Sequence, residues 1–240
     1  MGSKSRIKKD IVPIINDLIE QNKIENFVDL FCGGCNVIDA VTCENKYAND
    51  KSKTLIALLE AVVVENKELP ESVTKEVYSD VRSNQESGKY EDWYLGAVGF
   101  LASYNGRYFD GGYAKPNVSK EGKVRDYYQE AKRNLLKQSK HLVGVQFSSV
   151  DYREFNIPKH SLVYCDIPYY GTKQYDTSKD FDYESFWNWV KETSKEHIVL
   201  VSEETAPEDF TVVWQQEVLR TQNNRNRHKV VEKLFTYDVS

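Results

Sequence analysis

The sequence predicts an α/β fold in which a mostly parallel sheet ends in an antiparallel hairpin. Short apolar runs over 27–30 and 161–165 are typical of buried strands, and a glycine pair and a helix from about Val37 follow the first run. An amphipathic pattern over 11–19 indicates another helix. Residues 210–237 alternate like paired antiparallel strands around an Asn- and Arg-rich loop.

Composition is that of an ordinary globular protein. The 240 residues are 40% hydrophobic and 29% charged, and they contain no run of eighteen apolar residues and no apolar stretch near the N-terminus. We therefore expect no membrane segment and a cytoplasmic location.

Cys32 and Cys35 form a CxxC pair, but no second pair or spaced His pair completes a metal site, so we expect no metal.

The charge distribution indicates a basic face on an acidic body. A net charge of −5 is a mild argument against nucleic acid. Cations nevertheless gather over 115–140 and 220–229, while acidic residues gather near 180–209. Such asymmetry fits a surface for phosphates, although a charge run is more often only a solvated face.

The strand over 161–165 ends in Asp166-Ile167-Pro168-Tyr169. In an open α/β sheet the carboxyl ends of the strands form the ligand crevice, so Asp166 is expected at the mouth of a pocket. A carboxylate and a neighbouring carbonyl can accept hydrogen bonds from a planar amine, while a tyrosine stacks on the ring that carries it. This arrangement suits an extruded nucleobase.

These four residues resemble the Asp-Pro-Pro-Tyr motif of the amino-group DNA methyltransferases, and the order of motifs resembles the Dam-type adenine enzymes of the D12 family. The resemblance implies a Rossmann-like S-adenosylmethionine-dependent methyltransferase sheet with an inserted helical and loop target-recognition subdomain. It implies catalytic roles for Asp166, Ile167, Pro168 and Tyr169. Ile167 replaces the usual proline, which keeps the main-chain carbonyl but loses the rigidity of a second proline.

The glycine turn after the first strand resembles the Phe-x-Gly-x-Gly cofactor loop of that family. The resemblance assigns S-adenosyl-L-methionine contacts to the residues of this strand end and loop, Asp29, Phe31, Cys32 and Gly33. Cys35 stands where the family has a third glycine. Any Rossmann-like nucleotide binder can show such a turn.

Further cofactor contacts are implied for Lys4, Asp50, Asp151 and Asp166. Lys4 matches the lysine that reaches the methionine end, although it could equally be an exposed N-terminal lysine. Asp50 ends a short strand about twenty residues after the first, a position that suits the ribose hydroxyls; it could also cap the helix that follows. Asp151 matches the acid that recognises the cofactor adenine.

The resemblance implies a catalytic domain over 1–68 and 141–240 and a target-recognition insertion over 69–140. Glycines, aromatic residues and cations interleave over 103–116 with almost no aliphatic residues, which is typical of a surface loop. The residues expected to contact DNA lie in this loop and in the terminal hairpin: Tyr104, Asn105, Arg107, Lys115, Arg225 and Arg227.

The expected activity is site-specific methylation of the adenine amine in double-stranded DNA, with a flipped base and no metal. A restriction endonuclease is a possible partner. Methylation of cytosine or RNA by the same residues stays open, because the tetrapeptide does not identify the base. A catalytically silent DNA-binding module also stays open, because Ile167 and Cys35 both depart from the family pattern.

Overall fold

The computed structural model describes residues 4, 7–118, 122, 124–169, 181–223 and 226–239. For residues 219–223 and 226–228 it describes the backbone alone. The helices are α1 (Lys8–Gln21), α2 (Lys53–Val63), α3 (Lys75–Ser83), α4 (Asp92–Gly96), α5 (Tyr127–Ser139) and α6 (Tyr183–Thr193). The strands are β1 (Asn26–Asp29), β2 (Asn45–Asn49), β3 (Asn117–Val118), β4 (Val124–Arg125), β5 (Gln146–Ser148), β6 (Ser161–Cys165), β7 (Ile198–Glu203), β8 (Thr211–Asn223) and β9 (Asn226–Thr236). A π-helical turn, Ala97–Leu101, continues α4.

The chain forms two compact units. One unit spans 52–149, and the other joins 4–51 to 150–240; they are called the inserted unit and the sheet unit below. Helix α2 and strand β5 therefore belong to the inserted unit, whereas the sequence places the ends of the insertion at 69 and 140. Those narrower limits remain a prediction about which residues recognise a target.

The sheet unit contains β2, β1, β6, β7, β9 and β8, in that spatial order. Strands β2, β1, β6 and β7 are parallel to one another, whereas β9 is antiparallel to both β7 and β8. The predicted α/β fold, with a mostly parallel sheet and an antiparallel terminal hairpin, is confirmed. Because β1 lies between β2 and β6, the carboxyl ends of these three strands meet at one edge of the sheet.

The central strands β1 and β6 are buried because both of their faces are covered. All residues of β1 and β6 are buried, as is typical of parallel strands between two layers. Val28, Val163 and Val199 pack in a core that includes Phe186 and Trp187 of α6. This packing fixes the edge at which the candidate site lies.

The segment after β1 differs from its prediction. The glycine pair predicts a helix from about Val37, but residues 33–40 form consecutive turns. Backbone bonds run from Cys35 N–H to the Cys32 carbonyl at 2.7 Å and from Ala40 N–H to the Val37 carbonyl at 3.0 Å. A longer bond of helical spacing runs from Asp39 N–H to the Cys35 carbonyl at 3.4 Å, so the segment is a series of turns and not a regular helix. Among the described residues, no helix is both long and apolar enough to cross a lipid bilayer.

Glycine allows two helices of the inserted unit to pack closely. A Cβ atom at Gly96 of α4 would stand 2.1 Å from the Thr54 carbonyl oxygen and 3.0 Å from the Leu58 Cβ of α2. Backbone atoms cannot rotate away as a flexible side chain can. The two helices therefore have to separate if residue 96 gains a side chain.

We expect Gly96→Ala to lower the free energy of unfolding by about 2 kcal/mol, because overpacking a rigid contact costs roughly that much. Chemical denaturation measures the change. Gly88→Ala is the control, because a Cβ there meets nothing within 4 Å although φ is +73°, so its cost is limited to backbone strain of about 1 kcal/mol. Equal costs for the two variants would contradict the close-contact explanation.

Candidate functional site

Three acidic residues meet at the carboxyl edge of the sheet. Asp29 ends β1 and pairs in register with Ala48 of β2 and Tyr164 of β6. Asp50 directly follows β2, and Asp166 directly follows β6. The parallel register therefore brings together residues that are far apart in the sequence.

The loop after β1 is tied to the neighbouring strand by backbone donors. Cys32 N–H donates to the Asn49 carbonyl at 2.8 Å, and Gly33 N–H donates to Asp50 Oδ2 at 2.9 Å. Gly33 and Cys35 have φ values of 48° and 56°, in the left-handed region that favours glycine. Cys35 thus adopts the backbone for which the resembling loop has glycine, and its side chain is fully buried.

Phe31 anchors the same loop to the core. Its ring centroid lies 5.6 Å from that of Tyr152 and 5.9 Å from that of Phe186. Phe181 completes the aromatic group at 6.0 Å. The sequence assigned Phe31 to the cofactor loop, and the structure shows that its ring packs this loop against these three aromatic side chains.

Asp29 is a buried acid at the end of β1. The residue is 2% exposed, and among the described residues no donor reaches its Oδ1. Burial raises the pKa of the Asp29 carboxyl well above its ordinary value, and the charge of Asp166 raises it further. A buried acceptor without a partner is costly, so this end of β1 fits a ligand that supplies a hydrogen-bond donor or a positive charge.

We expect Asp29→Asn to raise the melting temperature of the protein at about pH 8. With its raised pKa, folded Asp29 retains a proton that the unfolded chain releases above about pH 3.9. Stability therefore falls as pH rises from there towards the folded pKa. Melting curves at several pH values should show a difference between variant and wild type that disappears near pH 4.

Asp17→Asn is the control for this measurement, because Asp17 is exposed on α1. Its melting temperature should follow that of the wild type at every pH. A gain for Asp29→Asn that does not depend on pH would contradict the ionisation argument.

Asn49 connects three segments of the site. Its side-chain amide donates to the Leu30 carbonyl at 3.2 Å and to the Val150 carbonyl at 3.0 Å. Its Oδ1 accepts from Val150 N–H at 3.1 Å. The buried side chain thus joins the end of β2 to the loop after β1 and to the segment that carries Asp151.

Asp151 lies beside two cations. Its Oδ1 accepts from Arg153 Nε at 2.7 Å and its Oδ2 from Arg153 Nη2 at 3.0 Å, while Lys51 Nζ lies 3.7 Å away. The hydrogen bonds from Arg153 lower the pKa of the Asp151 carboxyl. Asp151 is thus held ionised near the end of β2. A ligand that binds the Asp151 carboxylate has to compete with Arg153 for its oxygen atoms.

A polar cluster surrounds the residue that the motif predicts to be catalytic. Lys4 Nζ lies 3.2 Å from Asp166 Oδ1 and 3.3 Å from Glu232 Oε2, and it also donates to the Tyr169 hydroxyl. That hydroxyl in turn donates to Glu232 Oε2. Lys4, which the sequence assigned to the cofactor, thus lies against the predicted catalytic motif.

The rest of the motif is held by its surroundings. Ile167 is 2% exposed, so it is an apolar anchor that keeps its carbonyl on the turn. Tyr183 of α6 donates its hydroxyl to the Pro168 carbonyl at 2.8 Å. These contacts restrain the turn that is usually stiffened by a second proline in the resembling family.

Glu232 was missed by the sequence reasoning, although a signal was present. Val230 and Leu234 lie two residues to either side of it on β9 and are buried. Side chains two apart share a face of a strand, so an acid stands where the alternation predicts an apolar residue. A charged residue at an inward position of a strand needs partners, and here they are Lys4 and Tyr169.

The predicted DNA contacts of the inserted unit are partly exposed. Tyr104 is 42% exposed, and Asn105 adopts a left-handed φ of 56°. Lys115 is exposed, and Arg107 is paired with Asp110. In the hairpin, Arg225 lies outside the described residues, as does the side chain of Arg227, so their predicted roles stay predictions.

The cysteines are free, and Cys32, Cys35 and Cys165 are buried. The described residues contain no group of His, Cys, Asp and Glu that could hold a metal ion. A hydrogen bond to Cys35 raises the pKa of the Cys32 thiol, and burial adds to this effect. Cys32 therefore fills the loop as a neutral thiol.

Comparisons with known proteins identify a family for the chain. A family model described as D12 class N6 adenine-specific DNA methyltransferase matches residues 2–200. The Type II methyltransferase M.FokI from Planomicrobium okeanokoites is 27% identical over 185 residues, which are 70% of this chain. The match spans 28% of the length of that relative.

Solved structures similar to the chain include PH1948 from Pyrococcus horikoshii, assigned as an RNA methyltransferase. It has a TM-score of 0.43 and 11% identity, over 96% of this chain and 81% of that one. An S-adenosylmethionine-dependent methyltransferase from Clostridium acetobutylicum has a TM-score of 0.35 and 10% identity, over 98% and 78% of the two chains.

Proposed function

Because the chain belongs to the D12 class N6 adenine-specific DNA methyltransferase family, we propose that it transfers a methyl group from S-adenosylmethionine to the exocyclic amine of adenine in DNA. The observation that carries the proposal is the position of Asp166. It follows β6 directly and is 22% exposed, at the sheet edge that also presents Asp29 and Asp50. An acceptor for the amine and acids for the cofactor are thus brought to one edge.

S-adenosylmethionine fits the residues at the ends of β1 and β2. The Asp29 oxygen without a partner suits its ammonium group or a hydroxyl, and Asp50, held by Gly33 N–H, suits the ribose. Phe31, Cys32 and Gly33 form the loop between these acids, and Asp151 would meet the adenine of the cofactor. When bound, the cofactor supplies a methyl group on a positively charged sulfur.

The residues of the chain orient the target amine. The Asp166 carboxylate and the Ile167 carbonyl accept its two N–H bonds, which directs the nitrogen lone pair towards the methyl group. Tyr169 stacks on the base, which is extruded from the duplex. One amine proton must leave after transfer, and the Asp166 carboxylate is the acceptor for it. Proximity and orientation supply most of the acceleration.

We propose that DNA is held by the exposed loop of the inserted unit and by the tip of the terminal hairpin. Lys115 and Arg107 would contact phosphates, with Tyr104 and Asn105 beside them. Arg225 and Arg227 would add phosphate contacts, because cations on a hairpin tip reach the backbone of a duplex. A DNA substrate supports the cytoplasmic location that the sequence predicts.

We also propose that the chain works beside a restriction endonuclease. The Type II designation of the M.FokI relative supports this idea. A matching endonuclease should fail to cut DNA that the chain has methylated, and cutting that is unchanged after complete methylation would contradict the pairing.

The main test uses S-adenosylmethionine with a labelled methyl group and double-stranded DNA. After the reaction, the DNA is digested to nucleosides and the labelled nucleoside is identified by chromatography. We expect N6-methyldeoxyadenosine. A parallel reaction contains RNA in place of DNA, and DNA binding is measured separately. Label on deoxycytidine, or incorporation into RNA alone, would replace the proposed substrate, and DNA binding without incorporation would indicate a silent binding module.

A further inference from the structure

We propose that Glu232, on β9, is a positioning residue for methyl transfer. It holds the Lys4 ammonium and the Tyr169 hydroxyl, and it thereby sets the positions of the Tyr169 ring and the Asp166 carboxylate. This inference rests on the proposed function, because it concerns the same site.

The contacts link four side chains to one another. Glu232 Oε2 lies 3.3 Å from Lys4 Nζ and accepts from the Tyr169 hydroxyl. Lys4 Nζ lies 3.2 Å from Asp166 Oδ1 and 4.3 Å from the centroid of the Tyr169 ring. Glu232 is therefore linked to both side chains that would touch the substrate, directly to Tyr169 and through Lys4 to Asp166.

Burial makes these links strong. The side chains of Lys4 and Glu232 are 8% and 10% exposed, so their charges are poorly screened by solvent. Removing one member of a buried ion pair leaves an uncompensated charge, which is strongly unfavourable. Each charge in the group therefore restrains the position of its partners.

The charge balance indicates what Glu232 does for Asp166. Two carboxylates share one ammonium group in the wild-type cluster. If Glu232 loses its charge, Asp166 is the acid left to Lys4 among the ion pairs of the described residues. Lys4 then binds Asp166 more tightly and competes with the substrate amine for its oxygen atoms. Glu232 thus keeps Asp166 available to the amine.

The test compares Glu232→Gln with Glu217→Gln. Glu217 lies on the same hairpin, is 57% exposed and pairs with Lys229 at 2.7 Å. Single-turnover methyl transfer is measured at saturating DNA and cofactor, together with cofactor affinity and melting temperature. We expect Glu232→Gln to slow transfer at least tenfold while cofactor affinity stays within threefold of the control.

Transfer by Glu232→Gln within twofold of Glu217→Gln would overturn the proposal. A slow rate that is accompanied by an equal loss of cofactor affinity and a large drop in melting temperature would also overturn it, because that pattern indicates a structural role alone.

A double-mutant cycle with Tyr169→Phe tests the link through the hydroxyl. Phenylalanine keeps the ring but removes the group that donates to Glu232. If Glu232 acts through this hydroxyl, its replacement should slow transfer less in the Tyr169→Phe background than in the wild type. Fully additive effects would contradict the link.

A spectroscopic readout separates this inference from the proposed function. Protein labelled with 3-fluorotyrosine is examined by fluorine NMR, and the signal of Tyr169 is assigned with Tyr169→Phe. Glu232→Gln should shift that signal, and Glu217→Gln should not. Absence of methyl transfer by the wild type would refute the proposed function alone, whereas an unshifted Tyr169 signal would refute the role of Glu232.

Discussion

Replacing Asp166 with alanine is expected to slow methyl transfer to DNA by on the order of a thousandfold. In the proposed mechanism Asp166 supplies an oxygen atom that orients the target amine and accepts its proton, and loss of one such preorganised group typically costs about 10² to 10³ in rate. The family resemblance also implies a cofactor contact for Asp166, but the acids at the ends of β1 and β2, Asp29 and Asp50, stay in place, so binding of S-adenosylmethionine should stay within about threefold of the wild type. Single-turnover kinetics and equilibrium cofactor binding measure the two quantities.

The variant is expected to fold. Lys4, which loses Asp166 as a partner, keeps Glu232 at 3.3 Å, so its charge is not left isolated. Asp182→Ala is the control, because Asp182 accepts from Ser185 N–H at 3.0 Å at the start of α6. That control should lose about 1 kcal/mol of stability and none of the transfer rate. An Asp166→Ala rate close to that of the wild type would refute the catalytic assignment.

Asn49→Ala is expected to reduce both stability and cofactor affinity. Three backbone groups, the buried Leu30 carbonyl and the partly buried carbonyl and N–H of Val150, lose a hydrogen-bond partner. At roughly 1 kcal/mol for each bond, the free energy of unfolding should fall by about 3 kcal/mol. The Asn49 side chain then no longer links the loops that carry Gly33 and Asp151. The affinity for the cofactor should therefore fall about tenfold or more, which corresponds to a loss of at least about 1.4 kcal/mol in binding free energy.

Asn45→Ala is the matched control, because Asn45 lies on the same strand and its amide makes an exposed bond to the Glu25 carbonyl at 3.3 Å. Its effect on stability should be below about 1 kcal/mol, with cofactor affinity unchanged. Chemical denaturation and calorimetric binding give the two values. Similar losses for both variants would show that Asn49 does not organise the site.

The sequence could predict the fold because the signals lie within single elements. The apolar runs of β1 and β6 and the alternation of β8 and β9 each identify a strand, and the order of the elements limits the topology. The positions of Asp29, Asp50 and Asp166 could be predicted because each residue lies at the end of a strand, and parallel strands present their carboxyl ends at one edge of the sheet.

The turns after Gly33 could not be predicted in this way. A glycine pair followed by apolar residues is compatible with a helix, and the pattern does not show that the backbone of Cys32 bonds to Asn49 instead. Nor does spacing reveal the contacts of Asn49, because they depend on how two loops approach the end of β2. Hydrogen bonds of this kind follow from packing and not from local propensity.

The polar cluster was hidden for another reason. Lys4 and Glu232 are 228 positions apart, and no local pattern links them. The buried position of Glu232 on β9 was visible as an interruption of the apolar alternation, but its partners could be identified only from coordinates.

The same separation determines when the site can form during synthesis. A ribosome has to translate position 232 and release strand β9 from its exit tunnel before Glu232 can meet Lys4. Contacts between such distant positions form late, because closing a long loop is entropically costly. A nascent chain that has already released β6 and Asp166 therefore still lacks the Glu232 carboxylate. Activity is expected to begin only after translation has passed the terminal hairpin.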